Sequence, residues 1–100
     1  MFASYTWIKK GFIYKPNNEQ KWWASNAMAP TPILFDDDTI RVYVGAWDKS
    51  GISRISYIDV DRDNPSIVKK VANKFVLDIG NDGCFDDNGV FPAHAYKHPD

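Results

Sequence analysis

Apolar and polar side chains alternate most clearly in residues 39–46. If this segment is extended, one face carries aliphatic side chains and the other a mixed set: Ile40, Val42 and Val44 against Arg41, Tyr43 and Gly45. A period of two is typical of a β-strand with one half-buried face. Residues 31–35 form a short apolar run upstream, and the aspartates at 36–38 supply a polar turn. The pattern predicts an antiparallel hairpin.

A third alternating segment follows a second polar turn and covers residues 53–60. Here we expect Ile55 and Tyr57 to share one face of the sheet, while Ile58 and Val60 share the other. Because the intervening turn is short and contains glycine, the segment is predicted to pair with residues 39–46 in antiparallel fashion.

The next segment has two readings. The aliphatic residues from Ile67 onward fit helical spacing after a possible helix cap at Asn64 and Pro65. Clean alternation of Phe75, Leu77 and Ile79 favours an edge strand instead. We therefore predict a fourth strand in this part of the chain.

Four strands between residues 31 and 79 take close to the length of one propeller blade, ~50 residues. Such a sheet is apolar on both faces and needs neighbouring blades to bury them. Turn formers end the blade in residues 81–89, and residues 90–96 are predicted to begin a further strand. We therefore predict an all-β fold, a β-propeller fragment of one four-stranded blade plus the start of the next. The expected divisions are an N-terminal segment, a first blade and the start of a second blade: residues 1–29, 30–80 and 81–100.

Composition excludes several classes of protein. Of the 100 residues 44% are hydrophobic and 15% aromatic, which is too apolar for a disordered chain, and no apolar run approaches the ~20 residues that span a bilayer. Twelve Lys and Arg against 13 Asp and Glu give no basic field, so we expect no nucleic-acid partner and no membrane partner. The single Cys84 and the lack of a secretory signal favour the cytoplasm.

Metal and thiol chemistry find little support in the sequence. Asp59, Asp61 and Asp63 alternate as in a calcium loop, but Asn64 replaces the required glycine and Lys70 the bidentate glutamate. We therefore expect no metal site and no cofactor. Cys84 has no histidine near it in sequence to act as a base, so we interpret it as a small buried apolar residue.

Aromatic side chains are the stronger candidates for binding, because their flat apolar faces suit the C–H faces of sugars. Each of them also fits packing between blades: Trp22, Trp23, Tyr43, Trp47 and Tyr57. Trp47 is the best candidate for a site, since it lies at a strand end beside the turn at residues 48–51. Arg54 is expected to pair with Asp48 across the same turn.

The acidic turn is the most informative motif. A glycine, then Phe-Asp-Asp-x-Gly-Val and a proline, resembles the start of the second blade in five-bladed propeller glycosidases of the arabinanase and fructosidase superfamily. The pattern here runs from Gly83 through Phe85-Asp86-Asp87-Asn88-Gly89-Val90 to Pro92. Three earlier stretches are similar to that family's first blade: residues 7–11, residues 23–32 and residues 41–55. The resemblance covers nearly all of this chain and about the first third of such a propeller, so we expect an N-terminal fragment.

The resemblance implies a glycoside hydrolase acting on O-glycosidic bonds, with paired carboxylates in a funnel at the propeller axis. Asp86 and Asp87 match the family's acidic turn and are the catalytic candidates. Trp47, Asn26 and Asn88 are the candidate sugar contacts. The chain departs from the family pattern because residues 30–33 carry no aspartate. We therefore expect the isolated chain to be inactive.

Two alternatives remain open at this point. A non-catalytic carbohydrate-binding or assembly module would use the same aromatic residues and loops without a second carboxylate, and the absence of aspartate from residues 30–35 favours it. A remnant without function is the other alternative. In each of the functional readings the expected partner is a carbohydrate. The uncovered sheet is also expected either to self-associate or to bind a second chain that completes the propeller.

Overall fold

The computed structural model describes residues 3–99, which form one antiparallel sheet. Its strands are β1 (Ser25–Asp36), β2 (Thr39–Trp47), β3 (Ser53–Asp61) and β4 (Val68–Val71), and they lie in the order β1-β2-β3-β4. Each strand pairs with the next along the chain, which is the arrangement of a single propeller blade. The predicted all-β fold class is confirmed.

The described residues contain no helix, so the helical reading of the segment after Ile67 is wrong. It follows that residues 3–99 include no helix with the length and hydropathy needed to cross a membrane. A fourth strand is present as β4, but it lies upstream of Phe75, Leu77 and Ile79, the alternating residues that predicted it. At those residues the chain forms an isolated bridge between Ile55 and Leu77, where Val76 N–H donates to Ile55 O at 2.7 Å.

Strand β1 begins at Ser25, upstream of the apolar run at residues 31–35 that predicted it. The extra part of the strand contains register shifts between Ser25 and Ala27 and between Met28 and Thr31. Asn26 and Ala29 have positive φ angles of 57° and 52°. Such bulges break the period of two, which is why alternation in the sequence does not reveal this part of the strand.

The pairing of β2 with β3 is the most regular part of the sheet. It runs without a register shift from the Thr39–Asp61 pair to the Trp47–Ser53 pair. This register places Val44, Ala46, Ile58 and Val60 on one face, which we call the core face. The predicted assignment of side chains to the two faces is confirmed for both strands.

The N-terminal segment covers the core face. Trp23 is buried against it, and its ring lies 5.4 Å from the Tyr14 ring and 5.7 Å from the Trp22 ring. Trp22 in turn meets Phe75 edge to face at 5.7 Å. Trp23 thus belongs to the hydrophobic core of this sheet and Trp22 packs against it, whereas packing between blades stays a prediction.

The opposite face, which we call the aromatic face, is organised by one ion pair. Arg41 Nε donates to Asp59 Oδ1 at 2.8 Å and Arg41 Nη2 donates to Asp59 Oδ2 at 3.0 Å. The guanidinium lies 3.8 Å from the Phe35 ring centre and 3.9 Å from the Tyr57 ring centre. The hydrogen bonds that Arg41 donates to Asp59 raise the pKa of Arg41 above its ordinary value. The two hydrogen bonds to Asp59 and the two neighbouring rings thus stabilise the positive charge of Arg41 on the largely covered aromatic face.

Residues 90–96 do not form the predicted strand. A strand needs a partner along its length, whereas this segment meets β3 at one point, where Val90 N–H donates to Ser53 O at 2.9 Å and Ser53 Oγ donates to Val90 O at 2.8 Å. Gly45 allows the segment to approach the aromatic face, because a β-carbon at position 45 would lie 3.2 Å from Phe91 Cβ.

The Arg41–Asp59 pair generates a stability prediction. We expect Asp59→Ala to lower the free energy of unfolding by about 3–5 kcal/mol, because Arg41 would keep a charge on a covered surface without its partner. Asp38→Ala removes the exposed Lys69–Asp38 pair and should cause a much smaller loss. Urea unfolding of both variants measures the difference, and equal losses would contradict this account.

Candidate functional site

The turn between β2 and β3 is held together by the carboxylate of Asp48. Asp48 Oδ1 accepts hydrogen bonds from Ser50 N–H at 2.8 Å and from Ile52 N–H at 3.0 Å. An aspartate at the start of a turn forms these bonds because its short side chain reaches back to the following backbone. The turn is therefore rigid, and it fixes the strand end that carries Trp47.

Arg54 links this turn to the segment that follows β4. Its Nη1 donates to Asp48 Oδ2 at 2.9 Å and its Nε donates to Asp78 Oδ1 at 2.8 Å. The predicted pairing of Arg54 with Asp48 is confirmed. Burial by itself would raise the pKa of Asp48, but the hydrogen bonds from Ile52, Arg54 and Ser50 outweigh it and lower that pKa below its ordinary value.

Trp47 and Asn26 lie next to each other in the sheet. Ser25 is the register partner of Trp47, and Ala24 N–H donates to Trp47 O at 2.7 Å. The positive φ of Asn26 bends β1 here, and Trp23 Nε1 donates to Asn26 O at 2.7 Å. Because this bond uses the main chain, the side chain of Asn26 stays exposed, and it lines an open pocket together with Phe12 and Tyr14.

Trp47 is half-buried, and its indole N–H has no acceptor. Among the residues that the structure describes, Trp47 Nε1 is the buried side-chain nitrogen or oxygen without a hydrogen-bond partner. A buried unpaired donor costs about 1–3 kcal/mol. The unpaired N–H therefore lowers the stability of the fold at this position.

The acidic turn folds back on itself through both of its aspartates. Asp87 Oδ2 accepts from Gly83 N–H at 2.8 Å. The Asp86 carboxylate fills the space that a side chain at Gly80 would need, and Asp86 O accepts from Gly80 N–H at 3.2 Å. Each aspartate thus has a local structural role in shaping the turn. Whether either also acts on a substrate stays a prediction.

The acidic turn is joined to the strand end that carries Trp47. Trp47 pairs with Ser25 on one side and with Ser53 on the other, and Ser53 is hydrogen-bonded to Val90 at the end of the acidic turn. The segments linked in this way carry the five predicted site residues: Asn26, Trp47, Asp86, Asp87 and Asn88. That their side chains form one site stays a prediction. Asn88 is exposed, while Asp86 and Asp87 are half-buried.

One expectation for this region is wrong. Cys84 is exposed on the turn rather than buried, because residues 81–85 project into solvent and leave no apolar surface for the thiol to pack against. Within residues 3–99, no group of three or more His, Cys, Asp or Glu side chains is arranged to hold a metal ion.

The sequence analysis missed two residues that position the site. Ser53 joins the acidic turn to β3, and Asp78 shares Arg54 with Asp48. Neither residue carries a local signal, since each acts through a partner distant in the chain. The Arg41–Asp59 pair could have been found, because the short turn after Trp47 determines the hairpin register that places the two residues opposite each other.

No model of a known protein family, no curated protein and no solved structure matches this chain. The function therefore has to be inferred from the residues and from their placement in the fold.

The lowered pKa of Asp48 makes the turn sensitive to acid. A carboxylate whose pKa is lower in the folded state stabilises the fold above its unfolded pKa, ~3.9, and this contribution is lost as pH falls through the folded value. We expect unfolding free energies, measured by urea titration from neutral pH down to about pH 2, to decline below about pH 4.

Asp48→Asn provides the matched comparison for the acid effect. Its side-chain oxygen still accepts from Ser50 and Ile52, but the charge facing Arg54 is removed. We expect the variant to be less stable at neutral pH and to lose less stability on acidification. Part of the dependence of its unfolding free energy on pH should remain because of Asp38. The pKa of Asp38 is also lowered, chiefly by its hydrogen bond with Asp36. An unchanged slope would rule out this role for Asp48.

The unpaired indole of Trp47 can be tested without any ligand. Trp47→Phe keeps a ring but removes the N–H, so the free energy of unfolding should stay level or rise by up to ~1 kcal/mol. Trp47→Ala removes the ring as well and should cost at least ~2 kcal/mol. Thermal and urea unfolding measure both. A loss in Trp47→Phe as large as that in Trp47→Ala would contradict this account.

Proposed function

We propose that this chain is a blade of a glycosidase-type β-propeller and that its role is to contact carbohydrate. The observation that supports this most is the link between the strand end that carries Trp47, the neighbouring start of β1 and the acidic turn. A half-buried indole at such a strand end, with polar side chains on the adjoining segments, suits a sugar ring, which requires a flat apolar face and polar groups at its edge.

The carboxylates favour binding over catalysis by this blade alone. Glycoside hydrolysis needs two carboxyl groups on opposite sides of the scissile bond, separated by ~5 Å or by ~6.5–9.5 Å depending on the stereochemical course. Asp86 and Asp87 are adjacent in one turn, and each supports its local backbone. The acid or base that completes a catalytic pair would then come from another blade.

The alternative, a non-catalytic module, draws on the same observation. If the two aspartates serve only the turn, then Trp47 and Asn26 bind sugar without any hydrolysis, whether or not further blades are present. The two functions differ in one measurable respect, which is turnover in a completed propeller. Both require that this end of the sheet binds carbohydrate, so binding is the first property to test.

The test is titration of the chain with arabino-, fructo- and xylo-oligosaccharides while the indole N–H signals are followed by NMR. We expect one of these sugars to shift the Trp47 signal, which the Trp47→Phe variant assigns by its disappearance. Asn26→Gly removes the amide and still accepts the positive φ, so it should weaken binding several-fold without unfolding the chain.

Trp7→Ala is the matched control, because Trp7 is an exposed indole outside this end of the sheet and its loss should leave sugar affinity unchanged. We expect no turnover of aryl glycosides by the wild-type chain. Turnover abolished by Asp86→Asn or Asp87→Asn would show a complete catalytic site in this blade. It would contradict the proposal that another blade supplies the second catalytic carboxyl group. Absence of binding by all three sugar classes would count against the proposed function itself.

A further inference from the structure

The N-terminal arm, residues 3–13, is an exposed aromatic segment without secondary structure. Tyr5, Trp7 and Phe12 are 86%, 94% and 95% exposed, and Ile8 is 69% exposed. Single exposed apolar side chains are common, but a run of them on one extended segment marks an interaction surface. The arm extends from the loop after β3 towards the start of β1, where Phe12 borders the pocket that Asn26 lines.

The arm is also basic. It contains Lys9 and Lys10, Lys15 follows shortly after, and the first acidic residue of the chain is Glu19. All 13 acidic residues therefore lie beyond the arm, and the rest of the chain is acidic overall. Within residues 3–99, neither Lys9 nor Lys10 forms an ion pair.

The complementary charge lies on the same molecule. Thr39 pairs with Asp61, and Arg62 N–H donates to Asp38 O at 3.0 Å, so the turn after β1 and the loop after β3 lie at one end of the sheet. We call this the acidic end. Lys69 pairs with Asp38 here and Arg62 Nη1 donates to Asp37 O, while the carboxylates of four further aspartates form no ion pair among the described residues: Asp36, Asp37, Asp61 and Asp63.

The arm and the acidic end border a single open cleft. Ile8, Lys10 and Phe12 line one side of it, and Asp63 and Asn64 line the other. A surface with a basic aromatic half beside an acidic half is complementary to itself under a two-fold rotation. The rotation sets the lysines of one copy against the aspartates of the other and packs the aromatic side chains together.

The available area agrees with a specific dimer. A large aromatic side chain buries ~150–250 Å², so the exposed rings of Tyr5, Trp7 and Phe12 together supply on the order of 600 Å² per copy. Stable interfaces of standard size bury ~800 Å² per partner. Ile8 and the stems of the two lysines make up the rest. We propose that the N-terminal arm docks against the acidic end of a second copy of this chain and forms a two-fold symmetric dimer.

An anionic membrane is the other surface that takes basic aromatic segments, and the structure favours it less. Electrostatic attachment to lipid usually takes ~4–8 Lys or Arg, at ~1 kcal/mol each, and the arm has two. Asp63 borders the same cleft, so the acidic end would be brought against the negative lipid surface and repelled by it.

The test is the oligomeric state of the full chain, measured by analytical ultracentrifugation across a concentration series. We expect the wild-type chain to dimerise and the Trp7→Ser/Phe12→Ser double variant to be at least ~10-fold weaker. Phe85→Ser is the matched control, because Phe85 is a fully exposed aromatic residue outside the arm and its loss should leave dimerisation unchanged. Circular dichroism checks that each variant keeps its sheet.

A charge exchange tests the pairing itself. Lys9→Glu/Lys10→Glu and Asp37→Lys/Asp63→Lys should each weaken the dimer, whereas an equimolar mixture of the two should restore dimerisation as a heterodimer. Three outcomes overturn the proposal: a monomer at all concentrations, a dimer that the arm variants leave intact, or failure of the mixture to associate. Binding of a monomeric wild-type chain to phosphatidylserine vesicles, lost in the arm variants, would assign the arm to membranes instead.

Discussion

The unbroken ladder between β2 and β3 is the constraint on which the rest of the structure depends. Because side chains alternate with a period of two, a shift of one residue would exchange the two faces of the hairpin. Val44 and Ile58 would then leave the core, and Arg41 would enter it. The short turn at Asp48 prevents such a shift, because its hydrogen bonds fix which residues of the two strands lie opposite each other.

The same ladder explains how a charged pair can occupy the aromatic face. Arg41 and Asp59 stand directly opposite each other, so the bidentate geometry needs no distortion of the backbone. Phe35 and Tyr57 cover the flat faces of the guanidinium with aromatic rings. Each carboxylate oxygen of Asp59 therefore accepts a hydrogen bond from Arg41, and the charge of each partner is balanced within the sheet.

The two ends of the sheet have different chemistry. One end gathers Trp47, Asn26 and the acidic turn, whose aspartates are bonded to the turn itself. The other end exposes carboxylates beside the basic aromatic arm. The opposite ends of each strand are several residues apart, so a small sheet can present a different surface at each end. Carbohydrate contact and association between copies are thus proposals about different parts of one molecule.

The sequence alone determined the all-β class, the central strands, the side chains on each of their faces and the Arg54–Asp48 pair, because these follow from alternation and from a short turn. The bulged start of β1 carries no such periodicity, and the path of residues 90–96 depends on a distant bond to Ser53. Whether Cys84 is buried, and whether the strand end that carries Trp47 is joined to the acidic turn, likewise depends on contacts between segments far apart in the chain. Only the tertiary structure decided these features, since local patterns specify which face a residue takes but not which distant segment meets it.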